Sequence, residues 1–116
     1  MARKTVDDRE LELREREKRV KNLEQYKIRL DNTFNYIDLL LFNIEYNCYV
    51  VVELKVTELK KEHIGQIQIY MNYIDEHLRK INQDKTIGII ICKQDNKYVI
   101  KYCSDNRIIS RNYELI

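Results

Sequence analysis

The sequence predicts one α/β domain with a central β-sheet of mixed strand direction, packed against helices. Before residue 57, apolar and polar residues alternate with a period of two, and residues 86–93 form an almost continuous β-branched run; both patterns are typical of strands. Between these segments, residues 58–82 carry apolar side chains at intervals of three and four, which indicates a helix. A long helix that joins two strands predicts a right-handed crossover. A length of 116 residues fits a single domain.

The first half of the domain predicts three strands in an antiparallel meander. The segment QYKIRL alternates over 25–30, and Asp-Asn at 31–32 marks a turn. A second strand is expected at 34–43 and a third at 48–56, with a turn between them. These connections are too short for crossovers, so neighbouring strands should be antiparallel.

The second half predicts a helix at 58–82, followed by two strands, and leaves a third strand open near the end of the chain. The run TIGIIICK at 86–93 is expected to be a fully buried central strand. The segment KYVIKYC at 97–103 is interpreted as the next strand, and residues 108–115 as the last. The side chains expected on one face of the strand at 97–103 are those of Tyr98, Ile100 and Tyr102.

Residues 1–24 predict a charged helix that precedes the domain at 25–116. Val6, Leu13 and Val20 recur every seven residues and form a thin apolar seam. We expect a solvated helix that packs this seam on the domain. A dimerising coiled coil and a frayed tail stay open as alternatives, because one or two heptads are marginal without a partner.

Composition excludes several classes of function. Two glycines and no proline exclude glycine-rich phosphate loops, and a net charge of +2 is too small to imply a nucleic-acid partner by itself. No apolar run approaches the roughly 20 residues of a membrane helix, so no membrane partner is expected. The charged N-terminus lacks the apolar region of a signal peptide, which favours the cytoplasm. Cys48, Cys92 and Cys103 are expected to be reduced and mostly buried thiols.

Charged residues interrupt two apolar strands, YIDLLLF at 36–42 and VVVELKV at 50–56. Asp38 lies in the first of them. Glu53 and Lys55 lie in the second, two positions apart, so they share one face of the sheet. A hairpin between the two strands would bring Asp38 beside this pair at one edge of the sheet. Leu54 is expected to point the other way, into the core.

Two carboxylates and an ammonium group at one place suit either of two interpretations. Burial of charges is costly unless they are paired or bind a metal, and Mg²⁺ accepts carboxylates, a backbone carbonyl and waters. A lysine beside that metal could hold or deprotonate water, which suits hydrolysis of a phosphodiester. The alternative is a plain salt bridge of Lys55 with Asp38 or Glu53 at an exposed sheet edge.

The arrangement of Asp38, fourteen further residues and then Glu53-Leu54-Lys55 resembles the PD-(D/E)XK nuclease superfamily. Over about 25–116 the chain is similar to the C-terminal nuclease domain of the YhcG-type family. The segments that carry this resemblance are NYIDLLLFN, CYVVVELK, HIGQIQIYMNYID and TIGIIICKQDNKYVIKY. The resemblance implies a restriction-endonuclease-like core with the element order α-β-β-β-α-β-β.

The resemblance also implies roles for individual residues. Asp38 and Glu53 would bind Mg²⁺ or Mn²⁺, the backbone carbonyl of Leu54 would complete the metal site, and Lys55 would be the catalytic lysine. The first helix of the superfamily often adds an acid, for which Glu17 or Glu24 would be candidates here, with solvated charge as the alternative. 

Gln66 and Tyr70 match the QxxxY element that related nucleases carry on the helix after the ExK strand. Gln66 would bind a phosphate or orient the lysine, and Tyr70 would follow the nucleic-acid backbone. A polar cap on the sheet edge and ordinary helix–sheet packing are their respective alternatives. Lys60 and Lys61 could contact the nucleic-acid backbone by charge, and His63 is more often structural than functional at such a position.

These observations favour a metal-dependent nuclease that hydrolyses nucleic acid, with DNA as the first choice of substrate. A catalytically inactive module of the same fold, which binds DNA or assembles with proteins, is the main alternative. A third hypothesis is an interaction protein in which residues 1–24 pair with a partner helix. A homodimer is also left open.

Overall fold

The computed structural model describes residues 25–103 and 105–114, which form a two-stranded hairpin and a four-stranded sheet covered by helices. The predicted helix at 1–24 and residue 115, the last of the predicted strand at 108–115, lie outside this range. The elements in chain order are β1 (Tyr26–Leu30), β2 (Thr33–Ile37), β3 (Leu39–Asn43), β4 (Cys48–Leu54), α1 (Lys61–His77), β5 (Ile87–Cys92), α2 (Lys97–Lys101) and β6 (Ile108–Asn112).

The larger sheet has the strand order β3-β4-β5-β6. β3 and β4 are antiparallel, whereas β5 is parallel to both β4 and β6. Helix α1 connects the parallel neighbours β4 and β5 and packs on both of them. The predicted α/β class with a mixed sheet and flanking helices is therefore confirmed.

The single strand predicted at 34–43 is wrong, because the chain changes sheets at Asp38. β2 ends at Ile37 and pairs with β1 in the hairpin, while β3 begins at Leu39 and pairs with β4. At the break, the backbone N–H of Asp38 donates to a side chain of β4 instead of a ladder carbonyl. The expected meander is consequently divided into two separate antiparallel pairs.

The strand predicted at 97–103 is also wrong, because the segment forms the short helix α2. The side chain of Asn96 accepts hydrogen bonds from the backbone N–H groups of Tyr98 and Val99, which caps a helix. Val99, Ile100 and Cys103 pack against the core, whereas Tyr98 and Tyr102 point outward. The apolar contacts at helical spacing and the cap therefore outweigh the alternation on which the strand prediction depended.

The main core lies between α1 and the face of the sheet that carries Val51. Val51 pairs with Gly88 on β5, where an added Cβ would lie 2.6 Å from the Met71 sulfur and 2.9 Å from Cδ1 of Ile67. Gly88 thus allows α1 to approach the sheet closely. The side chain of Leu54 lies on the opposite face, so the prediction that it points into this core is wrong.

A polar network joins the C-terminal half of α1 to the starts of β5 and β6. Oδ1 of Asp75 accepts hydrogen bonds from the backbone N–H of Thr86 at 3.0 Å and from its hydroxyl at 2.7 Å. Nη1 of Arg107 lies 3.1 Å from Oδ2 of Asp75, and its Nη2 lies 2.8 Å from Oδ2 of Asp105. Hydrogen bonding from Arg107 is the largest cause that lowers the pKa of Asp105.

The sequence also led to expectations about the cysteines and about membrane-spanning helices. Cys48, Cys92 and Cys103 are free thiols, and the first two are buried, as predicted. Burial is the main cause that raises the pKa values of Cys48 and Cys92. Among residues 25–103 and 105–114, no helix has the length and apolar character needed to cross a bilayer.

Candidate active site

Two buried carboxylates face each other where β3 and β4 begin to diverge. The register pairs Leu39 with Val52, which places Asp38 opposite Glu53. The backbone N–H of Asp38 donates to Oε2 of Glu53 at 2.9 Å, and the N–H of Leu54 donates to Oδ2 of Asp38 at 2.8 Å. Each carboxylate therefore accepts a hydrogen bond from the backbone of the opposite segment, and together these bonds fix both side chains.

The burial of this pair is unusual for acids. Asp38 is 2% exposed and Glu53 is 3% exposed. Acidic side chains are almost never so completely buried unless a partner compensates their charge. Because β4 carries Val51 and Glu53 on the same face, Glu53 points toward α1, and the partners of the carboxylates are found on and near that helix.

Lys55 follows the last residue of β4 and brings an ammonium group to the carboxylates. Its backbone N–H donates to the Ile91 carbonyl at 2.8 Å, which extends the pairing with β5 beyond the end of the strand. Its Nζ lies 3.9 Å from Oε1 of Glu53 and donates to Oε1 of Gln66 at 2.8 Å. Asp38, Glu53 and Lys55 thus lie together, and Gln66 contacts the lysine. The expected role of Gln66 in orienting the lysine or binding a phosphate stays a prediction.

Tyr70 lies one helical turn after Gln66 and faces the same site. It is 4% exposed, and its pKa is raised first by burial and then by the negative charges of Glu53 and Asp38, while a hydrogen bond with Gln66 opposes this rise. The phenol therefore stays protonated at neutral pH. Its burial favours the alternative of helix–sheet packing, and contact with a nucleic-acid backbone stays a prediction.

The donor atoms at this site fit a hard divalent cation. Asp38 and Glu53 supply carboxylate oxygens, and the Leu54 backbone lies beside both because its N–H binds Asp38. Mg²⁺ typically takes one or two carboxylates and completes its shell with backbone oxygens and waters. The described ranges contain no group of three or more histidine, cysteine or acidic residues able to hold a metal. Within these ranges, the candidate oxygen donors are those of Asp38, Glu53 and the Leu54 backbone.

The start of α1 has a structural histidine and two exposed lysines. Nδ1 of His63 accepts a hydrogen bond from the backbone N–H of Lys60 at 3.1 Å, which caps the helix. The more common structural interpretation of His63 therefore has a specific basis. Lys60 and Lys61 are exposed, and their contact with nucleic acid remains a prediction. Glu17 and Glu24 lie outside the described residues.

Sequence reasoning missed the part that the backbone plays in this site. Nothing in the alternation of apolar residues indicates that the N–H groups of Asp38 and Leu54 bind the two carboxylates. The acidic residue in the strand was the one indication in the sequence. A carboxylate there can accept a hydrogen bond from a backbone N–H group that would otherwise bind the neighbouring strand.

One curated protein is similar in sequence to most of this chain. The chain is 27% identical over 94 residues to an Escherichia coli (strain K12) protein named "Putative nuclease YhcG". The matched region covers 78% of this chain and 25% of the relative, so the chain spans about a quarter of the length of that protein.

Two solved structures have the same fold as this chain. A repair endonuclease from Pyrococcus abyssi superposes with a TM-score of 0.52 and 17% identity, over 98% of this chain and 50% of that one. EndoMS in a complex with double-stranded DNA superposes with a TM-score of 0.55 and 16% identity, over 97% of this chain and 49% of that one. At this level of identity the similarity establishes the fold, which is restriction-endonuclease-like.

The family follows from a match to a sequence model. Residues 19–115, which include every residue of the site described above, match the model of the YhcG PDDEXK nuclease domain. The chain therefore belongs to the YhcG PDDEXK nuclease domain family.

Proposed function

We propose that this domain is a metal-dependent nuclease that hydrolyses phosphodiester bonds, with DNA as its substrate and Mg²⁺ or Mn²⁺ as its cofactor. One observation carries the proposal. Asp38 and Glu53 are almost completely buried, are fixed by backbone hydrogen bonds and lie beside the ammonium group of Lys55. A domain without a cation to bind gains little from holding two acids in this way, because burial of each is costly.

The proposed cofactor would be held by Asp38, Glu53 and the backbone carbonyl of Leu54. When bound, a divalent cation lowers the pKa of water and stabilises the charge that develops on phosphate oxygens. The protein residues contribute position and charge. The carboxylates are already oriented, so little reorganisation accompanies binding of the cation and substrate.

Lys55 would act on the attacking water and the phosphate, and Gln66 would hold Lys55 in position. The ammonium group lies near Glu53 and is held by Oε1 of Gln66 at 2.8 Å, which restricts a side chain with several rotatable bonds. A positive charge fixed at this position can hold the water and offset charge on the phosphate oxygens. Tyr70 keeps its proton, and its buried side chain makes a hydrogen bond with Gln66.

DNA is the proposed substrate because structures named as a repair endonuclease and as a complex of EndoMS with double-stranded DNA have the same fold. The exposed Lys60 and Lys61 at the start of α1 are proposed to contact the phosphate backbone, since phosphate contacts supply most of the non-specific affinity for nucleic acid.

The direct test is cleavage of DNA by the purified chain. We expect nicking or degradation of plasmid or single-stranded DNA with Mg²⁺, no cleavage in EDTA, and loss of cleavage in Asp38→Ala and in Lys55→Ala. Lys80→Ala is a matched control, because Lys80 is an exposed lysine that follows the C-terminal end of α1, whereas Gln66 lies near the start of that helix. Unchanged cleavage in both active-site variants would refute the assignment.

A metal titration distinguishes a nuclease from an inactive module of the same fold. Calorimetry with Mn²⁺ should show one binding event that Asp38→Asn removes if the domain is a nuclease. DNA affinity without any binding of Mn²⁺ would instead support an inactive module for DNA binding.

A further inference from the structure

We propose that the outward face of the β1–β2 hairpin binds single-stranded nucleic acid and leads it to the carboxylate site. The choice of nucleic acid as the ligand rests on the proposed nuclease function, but the test measures binding and not cleavage. The residues that define this hairpin face are Lys27, Arg29, Phe34 and Tyr36.

The register of the hairpin places these four side chains together. Lys27 pairs with Tyr36 and Arg29 pairs with Phe34, and residues two apart on a strand share a face. The intervening residue Ile28 points to the other side and is buried in the main core. One side of the hairpin is therefore fixed to the domain, and the hairpin face is turned outward.

The hairpin face combines exposed aromatic rings with positive charge. Phe34 is 55% exposed and Tyr36 is 45% exposed. Nζ of Lys27 lies 4.1 Å from the centre of the Phe34 ring, and Cζ of Arg29 lies 5.9 Å from it. These cation–π contacts keep the two positive groups close to the surface of the hairpin. The remaining N–H donors of both groups are available to a ligand.

The nearest acid in the hairpin lies in the turn and not on this face. Asp31 is in the turn, and its backbone carbonyl accepts a hydrogen bond from Nε of Arg29 at 3.2 Å. The hairpin face therefore has two formal positive charges from its own residues and no carboxylate among its four members. Phosphate groups complement this charge, and no acidic side chain of the face competes for the cations.

The hairpin face is directly connected to the candidate active site. β2 ends at Ile37, and the next residue is the carboxylate Asp38. At about 3.3 Å per residue of strand, Tyr36 is roughly 7 Å along the chain from Asp38, and Phe34 is roughly 13 Å from it. A nucleic-acid strand that lies along β2 would thus reach the site within a few nucleotides.

An unpaired strand fits this surface better than a duplex does. The Phe34 ring has no hydrogen-bonding atom, so its useful contacts are stacking and apolar contact with an exposed base. Single-strand binding surfaces combine aromatic rings that stack on bases with cations that follow the backbone, and the sequence-tolerant stacking suits a general nuclease. Lys27 and Arg29 would contact successive phosphates while Phe34 and Tyr36 stack on bases.

The test is fluorescence anisotropy with a labelled single-stranded oligonucleotide in EDTA, so that cleavage does not contribute. Removal of both charges in Lys27→Gln/Arg29→Gln should weaken affinity about 25-fold at 0.1 M salt, because each lost phosphate contact lowers the salt slope by about 0.7. The control Lys80→Gln/Lys85→Gln makes the same charge change near the far end of α1 and should leave the slope unchanged.

A second pair of variants tests stacking without a change of charge. Tyr36→Ser should weaken binding at least fivefold, which is the lower limit for loss of one stacked base. Tyr46→Ser is its control, because Tyr46 is 61% exposed in the turn between β3 and β4, at the opposite end of β4 from Glu53. Thermal unfolding of each variant checks that the hairpin remains folded.

The outcomes separate this inference from the proposed function. Affinity and salt slope that are equal in the wild type, Lys27→Gln/Arg29→Gln and Tyr36→Ser would overturn the hairpin proposal while leaving the nuclease assignment intact. Failure of the wild type to bind any nucleic acid would count against both. Equal losses for a single strand and for a duplex of the same length would overturn the preference for an unpaired strand.

Discussion

Replacement of Lys55 by methionine should destabilise the metal-free domain and leave its response to metal intact. Nζ of Lys55 lies 3.9 Å from Oε1 of Glu53. At an effective dielectric constant of about 20, this separation corresponds to an attraction of about 4 kcal/mol. Because the Lys55 side chain is 18% exposed, water screens part of it, and a loss of about 2 kcal/mol is expected.

The measurement is thermal unfolding by circular dichroism in EDTA and in Mg²⁺. In EDTA, Lys55→Met should melt about 8 °C below the wild type, at about 4 °C per kcal/mol for a domain of this size. Mg²⁺ at about 100 times its Kd should stabilise a competent site by about 2.7 kcal/mol. The shift in Lys55→Met should be at least as large as in the wild type, because no ammonium group then repels the cation.

The matched variant is Asp38→Asn, whose amide oxygen can still accept the hydrogen bond from Leu54. It removes one of the two buried negative charges, so it should melt at or above the wild type in EDTA and lose most of the shift with Mg²⁺. A Lys55→Met variant as stable as the wild type in EDTA would exclude the stabilising ion pair. An Asp38→Asn variant that keeps the full metal shift would exclude Asp38 as a metal ligand.

Three further predictions concern positioning and stability. Gln66→Leu should lower kcat for DNA cleavage by about tenfold or more with little change in KM, because it releases Lys55 without removing a phosphate ligand; a change confined to KM would contradict this role. Arg107→Met should cost about 2 kcal/mol near neutral pH in urea unfolding. Since Arg107 lowers the pKa of Asp105, this contribution is present above about pH 4, the unfolded value, and is lost as pH falls through the lower folded value; a cost independent of pH would contradict it. Gly88→Ala should destabilise by about 1–3 kcal/mol because its Cβ enters the side chains of α1, whereas Gly65→Ala, where no atom lies within 4 Å, should stabilise by about 0.5–1 kcal/mol; the same sign for both would contradict the packing described.

The sequence was sufficient for the parts of the fold that have strong periodicity. The buried run at 86–93 and the helical spacing at 58–82 predicted β5 and α1, although α1 is shorter at both ends. Helix ends are set by local hydrogen bonds, such as the cap that His63 provides, and apolar spacing carries no information about them.

The two wrong element predictions have specific physical causes. Alternation of large residues at 97–103 is compatible with a strand or with a short helix. The Asn96 side chain favours the helix because it caps the first backbone N–H groups. At 34–43 no turn signal separates the two halves of the segment, but the side chains of Asp38 and Glu53 bind backbone N–H groups at Asp38 and Leu54, and the strand ends there. Both decisions depend on side chain–backbone hydrogen bonds, which periodicity does not represent.

For the candidate site, spacing and strand alternation were enough to bring together Asp38, Glu53 and Lys55, and helical spacing added Gln66. The prediction of which face of β4 packs on the main core was wrong. Both faces of β4 are apolar, so which face α1 covers depends on its partners in three dimensions, above all on Gly88. The hairpin face was missed because cations and aromatic residues were considered separately, before the register paired them across two strands.

Diffraction from a crystal soaked with Mn²⁺ shows whether Asp38 and Glu53 together bind a divalent cation. We expect an anomalous peak within ligand distance of carboxylate oxygens of both residues and of the Leu54 carbonyl, and no such peak in crystals of Asp38→Asn. A crystal of cleavage-competent protein with no manganese at these residues, or with manganese bound elsewhere, would exclude this pair as the metal site.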